Sequence, residues 1–382
     1  MWFLQTDILC RMLIAMIVGA VALVVGSKLQ KQTWVIRSYL ILDLLLIAYV
    51  SKRLLVFYVG YVLVTYGFVS FLEKVQPARR FFFVVLCLGC TIPFFYTRAT
   101  DFFDFLPYGL AMVGIAYNML KAVDALYYTY YTEEHIPFSI YANYMLFFPV
   151  ITAGPIFRYR DFAKTFENPE PITASSTALF SKRFIRGLFK KLVVLALVMK
   201  LLGYLVAVGS HWYLSLAVAA ISYLVLYLDM SGYADIAISM GGLMGLRVPE
   251  NFKNPLKSPS FTQFWRNWHI TLSDWIREHI FVVVSGKKLN RFQGALIGFF
   301  TMFFMCLWHG FSIAYLVDGI LLGLVLSIEN LFGITTVNKR KVKRSYYVFR
   351  CVVTNVIFAL NSLLLTLGAP TALQILRGFL RW

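Results

Sequence analysis

The sequence predicts an all-α integral membrane protein, a polytopic helical bundle of about ten to eleven spans, some of them half-spanning or interfacial. Composition is the first reason: of 382 residues, 60% are hydrophobic and only 14% charged, with a mean hydropathy of +0.71. So few charges cannot cover the surface of a soluble protein this long. The second reason is rhythm, because apolar windows follow one another along the chain at the roughly 20 residues that a helix needs to cross hydrocarbon. Abundant Phe (35) and Tyr (23) suit lipid-facing and headgroup-level surfaces.

In order, the windows fall near residues 8–26, 34–50, 54–72, 80–97, 105–125, 138–154, 184–208, 212–230, 292–312, 313–333 and 347–368. Met1 to Cys10 shows no basic n-region and no small-residue cleavage site, so the first helix is expected to stay. Basic clusters punctuate the windows at Lys28 and Lys31, Lys52 and Arg53, Arg79 and Arg80, Arg158 to Lys164, Lys182 to Lys191, Lys287 to Arg291 and Lys339 to Arg344. They mark expected cytoplasmic ends. The net charge of +18 is thereby explained by topology, with the lipid bilayer as partner and no nucleic acid. Lys28 and Arg53 nevertheless bracket a single window, so every window cannot be a full span. Pro149 and the Gly154-Pro155 pair break 138–154, which is tolerable at membrane depth if the freed backbone is buried in protein.

Asp229 to Gly286 interrupts the rhythm with charged and polar residues. Ser258-Pro259 reads as an N-cap and first helical position, after which Phe261, Trp265, Trp268, Leu272, Trp275 and His279 recur at three and four residues. That spacing predicts one amphipathic helix at the interface. Pro249 to Pro255 reads as an ordered loop leading into it, and Gly319-x-x-x-Gly323 matches helix-packing spacing. The five cysteines imply no disulfide framework, and Cys87-x-x-Cys90 lies in an apolar run without a redox or zinc context.

Two of the five histidines are unusual: His269 on the amphipathic segment, and His309 in Trp308-His309-Gly310 at the end of an apolar window. An ionisable group at membrane depth points to function. Proton relay, metal ligation and general base catalysis remain open from the residues alone, metal being the weakest because no ligand spacing accompanies either histidine. No G-x-S-x-G elbow and no P-loop occurs, which removes support for serine hydrolysis and ATP-driven transport.

Several segments together carry a resemblance. They are Phe147 to Arg158 (FFPVITAGPIFR), Tyr227 to Ala237 (YLDMSGYADIA), Pro249 to Pro255 (PENFKNP), Phe264 to Trp275 (FWRNWHITLSDW) and Trp308-His309-Gly310. The sequence resembles the membrane-bound O-acyltransferase family over about Gly114 to Asn330. Within it, the chain is similar to the bacterial polysaccharide-acetylating branch typified by alginate O-acetylation proteins, with the D-alanyl transfer proteins of teichoic acid modification as near relatives. Phe184 to Lys191 and Ser231 to Asp235 lean toward the acetylating branch. The chain departs from the family pattern at Asn267, where a basic residue is usual, and at Leu256, where an aromatic is usual.

The resemblance implies helices around a central funnel, with N-terminal transmembrane helices over 1–110, a catalytic core over 111–335, and a last transmembrane helix and tail over 336–382. It implies acyl transfer, most naturally of acetyl, from a thioester donor to hydroxyls of a cell-surface polysaccharide at a bacterial cytoplasmic membrane. His309 is then the general base and His269 the second catalytic histidine, with His269 or Asn267 donating to the tetrahedral oxyanion. Substrate contacts are expected from Trp265, Arg266, Asn267, Trp268, Asn251, Trp308 and Asp235. Asp229 and Asp235 are otherwise expected to pair with Arg247 or Arg158. No bound cofactor or metal is implied; acetyl-coenzyme A would be a co-substrate, its phosphates near Arg158, Arg160 and the Lys182 to Lys191 group. Implied partners are an extracytoplasmic acetyltransferase or a polysaccharide synthase complex. The rival readings are D-alanyl transfer from an acyl-carrier protein and, outside enzymes, a proton-coupled transporter or flippase of an acyl-carrying lipid.

Overall fold

The structure, a computed structural model, describes residues 6–28, 32–99, 114–209, 211–281 and 290–380. The described residues are helical apart from loops and one isolated antiparallel bridge between Phe252 and Trp268. Eight helices among them are long and apolar enough to cross a membrane. This makes the protein an all-α, multi-pass membrane protein. The chain divides into two compact units, Met1–Ile185 with Asp235–Pro249, and Arg186–Ala234 with Glu250–Trp382.

The first unit contains α1 (Thr6–Lys28), α2 (Gln32–Val50), α3 (Lys52–Lys74), α4 (Arg79–Ala99), α5 (Ile115–Thr132), α6 (Phe138–Leu146) and α7 (Tyr159–Glu167). Of these, α2, α3 and α4 meet the spanning criterion, while α1 holds a shorter apolar stretch, Cys10–Gly26. The window expected at 105–125 is only partly covered, since 105–113 lie outside the described residues; α5 begins at Ile115 and is not among the spanning helices. The window at 138–154 is broken as its prolines require: α6 stops at Leu146, and a short 3-10 turn, Phe148–Val150, follows.

Buried polar side chains take up the backbone freed by that break. Asp43 on α2 accepts from Phe148 N at 3.0 Å. Lys121 on α5 donates to the carbonyls of Tyr144 and Met145 at 2.9 and 3.3 Å. One helical turn to either side, Asn118 donates to Ile151 O at 3.0 Å and Asp124 accepts from Tyr159 N at 2.6 Å. All four side chains are buried. Their polarity, costly in hydrocarbon, here replaces the water that a broken segment cannot reach.

Two long helices belong in part to each unit. α8 (Ala174–Phe189) continues through a π-turn, Lys190–Val194, into α9 (Leu195–Val208), and α10 runs Trp212–Leu243, well past the 212–230 expected. The second unit adds α11 (Phe261–Trp265), α12 (Ile270–Ile276), α13 (Arg291–His309), α14 (Ile313–Phe332), α15 (Arg344–Leu367) and α16 (Ala369–Gly378). Its apolar core brings together α9, α10, α15 and α16 through Leu202, Val218, Leu228, Leu363 and Ile375. Of the basic clusters, Lys31 and Lys287 to Lys288 lie outside the described residues.

The helix expected from Ser258 through His279 is not continuous. Ser260, rather than Ser258, caps α11, accepting from Gln263 N, and α11 ends after five residues; α12 starts only at Ile270. Between them the backbone turns through His269 at φ +47°. Aromatic spacing carries on across the interruption, which is why periodicity alone reads one helix.

α13 and α14 form a closely packed antiparallel hairpin. Asn290 and Gln293 start it with a reciprocal capping box. Gly319 and Gly323 allow the close approach: a Cβ at Gly323 would lie 2.8 Å from the Phe299 ring and 3.1 Å from its carbonyl oxygen. Gly323→Ala is therefore expected to destabilise the purified protein by about 1–3 kcal/mol through overpacking. An unchanged melting temperature in detergent would show that the hairpin tolerates wider spacing.

Candidate active site

The site is built around a turn that contacts from other segments help to hold. Lys253 N donates to Asn267 O at 2.9 Å and Ile270 N to Asn251 O at 3.0 Å, so the Pro249 to Pro255 segment is hydrogen-bonded directly to the turn rather than merely leading into it. The Asn251 side chain completes the clamp: its Oδ1 accepts from Thr271 N at 3.1 Å and from Thr271 Oγ1 at 2.9 Å. From the other side Glu329, on α14, accepts from Phe261 N at 2.6 Å and from Thr262 N and Oγ1, both at 2.9 Å. The carboxylate thus sits on the N–H donors at the start of α11, which helix geometry leaves without an intrahelical partner. Arg350 lies 3.8 Å from it.

Trp268 anchors the turn. Its indole stacks on Phe264 at 5.5 Å and meets Phe358 at 4.9 Å and Phe252 at 5.1 Å, with Tyr223 and Tyr227 beyond. Aromatic pairs at these separations add to simple burial. The next residue, His269, then takes the left-handed conformation that imidazole and amide side chains enter more readily than most. Its carbonyl accepts from Leu272 N and Ser273 N, each at 3.1 Å, starting α12.

His309 arrives from a different element, as the last residue of α13. The two imidazoles lie 6.3 Å apart between ring centroids. Trp308 stands edge-on to His309 at 4.7 Å, and the Tyr315 ring lies nearly parallel to it at 6.4 Å. Gly310 is what admits Tyr315, since a Cβ there would fall 2.3 Å from that ring. The glycine of Trp308-His309-Gly310 is thus a clearance, and His309 itself is half-buried.

His269 is 2% exposed. Neither of its ring nitrogens has a hydrogen-bond partner among the described residues. Burial foremost, and the neighbouring His309 second, push its pKa down to about 3. The ring is therefore neutral at physiological pH, with one N–H and one lone pair to offer. Among the described residues, no three His, Cys, Asp or Glu side chains gather as a metal-binding set.

The other expected site residues are distributed more widely. Trp265 is half-buried, with its Nε1 lacking a hydrogen-bond partner among the described residues, whereas Arg266 is exposed. The Asn267 amide donates to Ser258 Oγ at 3.1 Å and Gln263 O at 2.9 Å, which commits both its hydrogens to the loop before α11. Asn251 is spent on the clamp. Asp235 is buried against Arg183 at 2.9 Å, Asp229 pairs with Lys191, and Arg247 meets Glu170. Those pairings correct the expected use of Arg247 and give part of the Lys182 to Lys191 group a structural task. Glu329 and Tyr315 escaped the sequence reading. An ionisable residue in an apolar window was the available signal for Glu329; Tyr315 left none.

With both histidines placed, the relatives of the chain become informative. The sequence matches the membrane-bound O-acyltransferase family over residues 28–369. The chain belongs to the membrane-bound O-acyltransferase family. It is similar to a probable alginate O-acetylase of Pseudomonas fluorescens, 33% identical over 60% of this chain and 47% of the relative. It is also similar to a teichoic acid D-alanyltransferase of Bacillus subtilis, 28% identical over 73% of this chain and 75% of the relative. A peptidoglycan O-acetyltransferase of Helicobacter pylori is 31% identical over 52% and 38%. The chain spans about half the length of the alginate O-acetylases it matches.

Two outcomes follow from the geometry. Asn251→Ala removes the buried acceptor of Thr271 N and Oγ1 and should destabilise the protein by about 1–3 kcal/mol. Arg266→Ala, at an exposed position, should stay within about 0.5 kcal/mol; equal losses in thermal melts would contradict the clamp. The second concerns pH. A histidine with a folded pKa near 3 and an unfolded value of 6.5 stays neutral when folded, while the unfolded chain takes up a proton below 6.5. Stability contributed by keeping it neutral is full above that value and lost as pH falls, by about 2 kcal/mol at pH 5. His269→Asn retains a residue suited to positive φ but does not titrate, so the wild-type protein should lose stability relative to it between pH 7 and pH 5. Parallel melting curves would refute the buried neutral histidine.

Proposed function

We propose that this family member transfers an acetyl group from a thioester donor, acetyl-coenzyme A, to hydroxyls of a cell-surface polysaccharide at the bacterial cytoplasmic membrane, with His309 as general base. The observation that carries the reading is the pairing of His269 and His309, brought from separate elements to 6.3 Å between rings. A hydroxyl is a weak nucleophile until a positioned base takes its proton in the transition state, and a neutral imidazole is suited to that. In this reading His309 accepts the hydroxyl proton while the acceptor oxygen attacks the thioester carbonyl carbon. Neutral His269 donates its N–H to the oxygen that becomes negative, a contribution commonly worth about 3–4 kcal/mol in a dry site. Collapse breaks the C–S bond, and His309 returns its proton to the departing thiolate, so that thiol and ester leave and both rings are regenerated.

Support for the acceptor class comes from the names of the relatives: alginate O-acetylase and peptidoglycan O-acetyltransferase are both enzymes of polysaccharide acetylation by their names. A second reading, D-alanyl transfer to teichoic acid from a carrier-protein thioester, is favoured by one fact. The teichoic acid D-alanyltransferase is matched over 75% of its length, against 47% for the alginate O-acetylase. An acidic carrier protein would be the donor partner there, and an extracytoplasmic acetyltransferase or a polysaccharide synthase complex the partner in the first reading.

Base-labile acetate and D-alanine on purified surface polymers separate the readings, measured in cells with wild-type protein, with His309→Ala at matched membrane abundance, or with none. Loss of acetate alone, to the level of cells without the protein, is the expected result for His309→Ala. Loss of D-alanine alone would move the assignment to the second reading. Full retention of the ester in His309→Ala but not in cells lacking the protein would remove His309 from the chemistry and favour transport of an acyl-carrying lipid.

A further inference from the structure

A groove of about 980 Å³ lies in the second unit, along α10 and α15, and the histidines do not line it. Its walls are apolar for most of their length, from Leu216 and Ala220 on α10 to Val352 and Leu360 on α15. Three cations, Lys257, Lys339 and Arg344, collect at one end and are all exposed. Tyr347 fixes that end by donating from its hydroxyl to Lys257 O at 2.9 Å. Among the described residues, no acidic side chain lines the groove.

The position of the charges along the helices decides what fits. Both α10 and α15 are long and apolar enough to cross a membrane, and Arg344 is the first residue of α15. The cations therefore stand at headgroup depth and the apolar walls descend into hydrocarbon. From Arg344 to Leu360 the helix rises about 24 Å at 1.5 Å per residue, which exceeds the about 15 Å of one leaflet's hydrocarbon. Basic pockets next to apolar surface between membrane helices suit anionic headgroups.

We propose that this groove is a binding site for an anionic phospholipid, its phosphate held by Lys257, Lys339 and Arg344 and an acyl chain laid between α10 and α15. The groove's inner wall includes Tyr223 and Tyr227, whose rings lie 5.9 and 6.1 Å from that of Trp268. A lipid seated there presses on the aromatic cluster that anchors the histidine turn. The site is independent of the acyl acceptor, so it stands whether the acetyl or the D-alanyl reading holds.

Native mass spectrometry of the full chain in detergent tests the proposal, with phosphatidylglycerol and phosphatidylcholine of identical acyl chains as probes. Wild-type protein should retain phosphatidylglycerol several-fold better. The triple variant Lys257→Gln, Lys339→Gln, Arg344→Gln, altered only at exposed positions, should fall to the phosphatidylcholine level. Ala220→Trp, which fills the apolar wall and leaves the charges in place, should lose the preference as well. Equal retention of the two lipids by wild-type protein would overturn the site, as would an undiminished preference in either variant. Displacement by water-soluble glycerol phosphate at the lipid's concentration would reduce it to a simple anion site and so overturn the lipid assignment.

Discussion

In hydrocarbon a peptide group that loses its helical partner has no water to turn to, and the architecture of this protein is organised around that constraint. Within each unit, buried polar side chains from other elements stand where the helical ladder is interrupted. Asp43, Asn118, Lys121 and Asp124 serve the break after α6. In the second unit Asn251 does the same for the turn before α12, and Glu329 for the start of α11. Polar groups are retained at these places because the alternative, an unpaired buried N–H or C=O, is worse.

The histidine turn shows how such a scaffold sets the direction of a buried side chain. A continuous helix would direct His269 by its own periodicity. The interruption frees the ring from that geometry, and the clamp then sets its direction from outside. Left-handed backbone at a non-glycine residue is destabilising by about 1–3 kcal/mol. The hydrogen bonds that Asn251 accepts from Ile270 and Thr271, and the packing of Trp268, offset it. His309 needs no strain, because a helix end and a glycine clearance already place it beside its partner.

Much of this was legible in the residues. The alternation of apolar windows with basic clusters gives a polytopic bundle, and Pro149 with Gly154-Pro155 marks the interrupted segment. The two histidines stand out because ionisable groups are rare in such surroundings. Less legible was the backbone at 258–279, since aromatic spacing survives a turn that keeps the same face buried. Side-chain commitments were hidden as well. Asn251 and Asn267 sit in a motif that suggests substrate contact, yet their amides are taken by Thr271 and by Ser258 and Gln263. Glu329, in an apolar window, carries the plain signature of a buried partner, but nothing in a linear sequence says that its donors lie near residue 261.

That long reach bears on biosynthesis. During translation the turn at His269 emerges well before Glu329, and the ion-pair neighbour Arg350 follows later still. Until α14 has entered the bilayer, the amino end of α11 has no carboxylate to receive its N–H groups. The site therefore cannot mature helix by helix as spans are inserted. It closes only when the carboxyl-terminal third of the chain docks, so a nascent chain halted before α14 leaves Phe261 N and Thr262 N without the acceptor they have in the finished fold.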